Sequence, residues 1–200
     1  MKYSHYWVRP RVIEKDIYSF IVKDFKLMVP VLEKYGVVLA DVEGKWKPHI
    51  DEDYIQFNGV KDCGHRKIYN NVAQHVIDKA GGVFSYDSNN EGDKYFVSQA
   101  VNTRCCNGDC SFDSFYFDRV VEISNPNDPE ESSNEAKYFK HCNTNFKPYD
   151  LSVCVVLIIA KKYLANKLIV LSDGEKQWWD AKFITELTLG YGTSFSLDKI

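Results

Sequence analysis

The run Leu151 to Ile159 constrains this chain most, because it is apolar on every face. A segment like that must be surrounded by other apolar groups, in a protein core or in a bilayer. The unbroken run Val153 to Ala160 is far short of the ~20 residues a membrane span needs, so it belongs to a core. Its β-branched residues would suit a strand. However, Ala160-Lys161-Lys162-Tyr163-Leu164 carries it past strand length toward a capping Asn166, and Pro148 suits a first helical turn. It reads as a central, fully buried helix.

The rest of the chain is then placed around that helix. A long helix is expected from about Glu14, with Ile17, Phe20, Ile21, Phe25 and Met28 on one stripe. Pro30 should end or kink it, and Lys34-Tyr35-Gly36 should cap it. An amphipathic helix near 175–189 should show Trp179, Phe183, Ile184 and Leu187 on one face and stop at Gly190. Ser172-Asp173-Gly174-Glu175, just before it, has the form of a capping box. Strands are expected over Tyr3–Arg9, Val37–Val42, Tyr54–Phe57, Val83–Tyr86, Tyr95–Arg104, Phe115–Ile123 and Leu168–Leu171, and Asn71–Ala80 reads as a short helix. Phe115–Ile123 should pair back on Tyr95–Arg104, and Asn58-Gly59 has the form of a hairpin turn.

Strands fill the middle and helices the two ends, so the class is α+β. The expectation is a single domain over residues 1–200 with a largely antiparallel sheet, one long N-terminal helix, and a buried plus an amphipathic C-terminal helix. Within it, Ser124 to Glu135 holds two prolines, acidic residues and no apolar side chain, and reads as an exposed, mobile acidic loop.

At 44% hydrophobic, 200 residues can bury a core without covalent staples. A formal charge of −3 argues against broad, non-specific binding to nucleic acid. Charged and aromatic residues fill Met1 to Pro10, where a secretory signal would need an apolar stretch. The protein is therefore expected to be soluble and cytoplasmic or otherwise intracellular, with reduced thiols.

The cysteines and histidines bunch at Cys63-Gly64-His65, at Cys105-Cys106-Asn107-Gly108-Asp109-Cys110 and at His141-Cys142. If Asn107-Gly108-Asp109 is a three-residue turn with Gly108 left-handed, Cys106 faces Cys110; a two-residue turn would instead oppose Cys105 and Cys110. Two such thiols with Cys63 and His65 make a Cys3His set suited to a structural Zn2+, although Cys-x-His is a tighter spacing than zinc ligands usually show. The metal site is thus assigned to Cys63, His65, Cys106 and Cys110, against the plainer reading of small, semi-buried thiols.

Two functional classes follow. The favoured one is a soluble intracellular binding protein with a protein partner, offering an exposed ring from Trp178-Trp179 and the acidic loop as contacts. The alternative is a small thiol-dependent enzyme. Its nucleophile would be Cys106 or Cys110, its base His65 or His141, and its orienting group Asp109 or Asp113. His5, on an aromatic strand, reads as a packed, hydrogen-bonded histidine. No Walker pattern and no G-x-G-x-x-G occurs in the chain.

Overall fold

The computed structural model describes residues 3–63, 104, 108–123, 125, 128–134 and 136–199. The elements expected at Asn71–Ala80 and Val83–Tyr86, nearly all of Tyr95–Arg104, and His65, Cys105 and Cys106 lie outside the described residues. The fold is α+β, and every described strand pairing is antiparallel.

The buried helix is present as α3 (Asp150–Leu164), enclosed on all sides from Asp150 to Ala160. Its end differs from expectation. Ala165, not Asn166, takes the left-handed φ of 48° and turns the chain into a 3-10 turn. The long N-terminal helix is α1 (Lys15–Lys34), and it runs through Pro30 to a cap at Tyr35-Gly36. Its buried stripe is Tyr18, Ile21, Val22, Phe25, Met28 and Leu32, which leaves Phe20 outside at 49% exposure. The last helix, α4 (Trp179–Leu189), stops at left-handed Gly190. It buries Asp180, Ala181, Ile184 and Thr185, so the face expected to hold Trp179 and Leu187 is rotated toward solvent.

Two sheets pack with these helices. The first has the order β6 (Lys137–Asn143), β1 (Ser4–Pro10), β7 (Ile169–Ser172). In the second, β4 (Ile55–Gly59) pairs with β2 (Leu39–Ala40), β3 (His49–Ile50) and β5 (Phe115–Tyr116). Alternation along β1 sends His5, Trp7 and Arg9 inward and Tyr6 and Val8 outward. Trp7 meets Phe115 and Phe117, and Phe57 stacks on Phe25, so one apolar cluster joins both sheets to α1 and α3. No helix among the described residues is long and apolar enough to cross a membrane.

Asn58-Gly59 is not a hairpin turn; both residues lie in β4 and pair with β2. Asn58 is buried and uses its amide to hold the segment before β5, donating to Phe112 O (2.8 Å) and accepting from Phe112 N (3.0 Å). Gly59 is required because a Cβ there would stand 2.0 Å from the carbonyl oxygen of Cys110. The acidic loop also has structure of its own. It contains α2 (Pro129–Ser132), whose last turn is tied to Arg11 and Tyr138 by hydrogen bonds at Ser132 O (3.2 Å) and Glu131 O (2.8 Å).

Candidate functional site

The inner face of the first sheet meets the N-terminus of α3, and there a set of polar side chains is sealed into the core. Asp150 opens the helix, where its charge also faces the positive end of the helix dipole. Its Oδ1 accepts from His5 Nε2 (2.7 Å) and the Thr144 hydroxyl (2.5 Å), and its Oδ2 accepts from Arg104 Nε (2.9 Å). The remaining nitrogens of Arg104 reach Asp180 at the head of α4. His5, Arg104, Thr144 and Asp150 are all completely buried.

Burial alone would push the Asp150 carboxyl upward. The adjacent His5 and Arg104, with hydrogen bonds from His5 and Thr144, outweigh it and hold the group at about 2. Burial works against the Arg104 charge as well, and the two facing carboxylates reverse that, raising its hold on the proton. An ionised carboxylate can only accept, so His5 carries hydrogen on Nε2. Its other nitrogen, Nδ1, faces Ser172 Oγ at 3.0 Å, because His5 and Ser172 are cross-strand partners on β1 and β7. Tyr3 and Trp178 close the imidazole in with edge-on contacts at 5.2 and 5.0 Å. β1, β7, the heads of α3 and α4 and the side chain of Arg104 therefore build a continuous line, Ser172–His5–Asp150–Arg104–Asp180.

Cys154, one helical turn along from Asp150, brings its sulfur to 3.7 Å from His5 Nε2. The ligand atoms of His5, Asp150 and Cys154 all lie within 4.8 Å of one another, a spacing a metal could use. Against it, the Asp150 oxygens already take three donors, one of them a guanidinium that would repel a second cation. Burial also pushes the Cys154 thiol up, away from the thiolate that a metal or a nucleophilic mechanism needs.

Of the residues singled out in the sequence as metal ligands, the structure describes Cys63 and Cys110. They come from adjoining segments: Cys110 N donates to Val60 O (3.0 Å), three residues before Cys63. Gly108 has a φ of 86°, the left-handed conformation a turn at Asn107-Gly108-Asp109 calls for. His65 and Cys106 lie outside the described residues. Among the groups named for a thiol enzyme, His141 projects from the solvent side of β6, Cys110 is buried, and Asp109 is committed to Ser111.

Sequence reasoning missed the buried line almost entirely. Ser172 was assigned to a helix cap, but α4 has no side-chain cap, and the hydroxyl turns to His5 instead. Asp150 was given no role, and Arg104 was read as the end of a strand. The available signal was a carboxylate set directly before an all-apolar helix, a position where an unpaired charge would be very costly.

The outer face of the same sheet is the reverse of its inner one. Tyr6, Phe139 and His141 lie side by side there, with centroids 6.1 to 6.4 Å apart and planes within 24 to 29°. Phe139 is 60% exposed, and half-buried Val8, Ile169 and Leu171 flank the rings. Comparison with family models, curated proteins and solved structures gives no match for this chain.

Proposed function

We propose that the protein is a binding protein that receives a partner protein on the outer face of the β6-β1-β7 sheet. The observation that carries this reading is the flat row of rings from Tyr6, Phe139 and His141 held open to solvent. Aromatic side chains of this kind, rigid and already fixed in place, give large contact area at little cost in side-chain entropy. Lys137 and Lys140 on β6, an edge strand among the described residues, discourage backbone pairing with another strand. The contact is therefore made through side chains on the face and not by strand addition. The net charge of −3 favours a protein partner over nucleic acid.

The test is a photo-crosslinking residue placed at Phe139 in the full chain and expressed in the native host. A control carries it at Leu187, an equally exposed apolar position on α4. A discrete protein adduct at Phe139 that is absent at Leu187, and is lost on Tyr6→Ser, supports the reading. No adduct, or the same adducts at both positions, sinks it.

A structural zinc at Cys63, His65, Cys106 and Cys110 is carried as part of this proposal. Its support is the adjoining placement of the Cys63 and Cys110 segments. Elemental analysis of protein purified without chelator should find close to one zinc per chain, and a trace amount would remove the metal from the account.

A further inference from the structure

We infer from the geometry that Ser172 is the nucleophile of a hydrolytic site acting on acyl esters, independent of the partner-binding face. A serine hydroxyl is a poor nucleophile unless a base takes its proton as it attacks. Here the two ring nitrogens of His5 are divided as that chemistry requires. Nε2 donates to ionised Asp150 (2.7 Å), and in the neutral imidazole Nδ1 is then the nitrogen that can accept from Ser172 Oγ (3.0 Å). Cys154 cannot take the same role, because its sulfur approaches the nitrogen that Asp150 already holds.

The position of Ser172 suits it to meet a substrate. It ends β7, is itself half-buried where its partner His5 is completely buried, and is followed by Asp173. Asp150 acts as a positioning residue, fixed in turn by Thr144 and Arg104. Such a triad is recognised by roles and geometry, whatever the order of its members in the chain.

In the reaction, Ser172 Oγ forms a bond to the ester carbonyl carbon and its proton passes to His5 Nδ1. The C–O bond to the alcohol then breaks, and the departing oxygen takes that proton, leaving an acyl-serine. Water attacks the acyl carbon and gives its proton to Nδ1; Ser172 leaves with that proton, releasing the carboxylic acid. Half-buried Asp173 and Glu175 follow Ser172 in the chain, so neutral or cationic esters are the class that fits and anionic ones are repelled.

The test treats the full chain with a fluorophosphonate probe, which forms an Oγ–P bond and expels fluoride, and maps the labelled peptide. A p-nitrophenyl acetate assay runs in parallel. Labelling at Ser172 is expected, and both labelling and turnover should fall by about a thousandfold in Ser172→Ala and in His5→Gln. Because His5 is buried and its variant could fail to fold, Ser172→Cys is the second probe. Its new thiol should react with iodoacetamide at least about tenfold faster than a free thiol at pH 7, since a neighbouring imidazole favours the thiolate. Absence of labelling at Ser172, turnover unchanged in Ser172→Ala, or an ordinary reaction rate in folded Ser172→Cys would each overturn the assignment.

Discussion

Two arginines are fully buried among the described residues, and they are accommodated in opposite ways. Arg104 faces carboxylates on two helices, Asp150 of α3 and Asp180 of α4. Arg9, at the far end of the inner face of β1, donates to the carbonyls of Pro10, Arg11, Asp118 and Arg119 and lies 5.0 Å from the Phe117 ring centroid. The consequences differ in sign. Burial lowers the Arg9 guanidinium to about 10, while the carboxylates raise Arg104 despite complete burial. Dipoles satisfy the donors of a buried cation, but only opposite charge offsets its desolvation. One arginine is therefore a hydrogen-bonding bracket for the Asp118–Arg119 segment, and the other is the keystone of an ionic network.

The largest expected effect separates the two directly. Arg104→Met should cost about 3–5 kcal/mol in urea unfolding, because Asp150 and Asp180 are left as buried, unpaired charges. Arg9→Met removes a charge together with its desolvation cost and leaves four carbonyls to re-pair and the nearby Asp118 carboxylate without its cation, so about 1–3 kcal/mol is expected. Equal losses would break the contrast.

A second effect is in the acid limb. The Asp150 carboxyl is depressed from 3.8 to about 2 in the folded protein. A depressed carboxylate contributes stability above its unfolded value, and that contribution is lost as pH falls through the folded one. Between pH 5 and 1, Asp150 should thus account for about 2–3 kcal/mol of lost stability. Unfolding free energy measured against pH should show this loss in the wild type and a flatter profile in Asp150→Asn. The Arg9 end of β1 should give no comparable change in that window.

The smallest effect concerns the outer face. Phe139→Ser should change thermal stability by less than about 0.5 kcal/mol, since the ring rests largely in solvent. A loss above about 2 kcal/mol would show that the ring is part of the core, leaving no open face for a partner.

These contrasts explain what was legible in the sequence. Local composition and spacing report burial, so α3, the span of α1 and the strand at Tyr3–Arg9 could be read from the sequence near at hand. Which face of α1 or α4 turns inward depends on neighbours distant in sequence, and there the reading placed Phe20, Trp179 and Leu187 inside when they are exposed. Local turn chemistry also lost to long-range demands. Asn58 was more useful bridging to Phe112, and Ser172 bonding to His5, than either would have been in a turn or a cap. The ionic network was least legible because its members lie 46 and 76 residues apart along the chain from Arg104 to Asp150 and Asp180. Single charges in a sequence carry no mark of the partner that makes their burial tolerable.

The central claim is that Arg104 is held by charge and Arg9 by dipoles, and double-mutant cycles test it most directly. One cycle combines Arg104→Met with Asp150→Asn, and the other combines Arg9→Met with Asp118→Asn, each read by urea unfolding. Coupling of about 2 kcal/mol or more is expected in the first and below about 1 kcal/mol in the second. Comparable coupling in both, or less than about 0.5 kcal/mol between Arg104 and Asp150, would contradict the account.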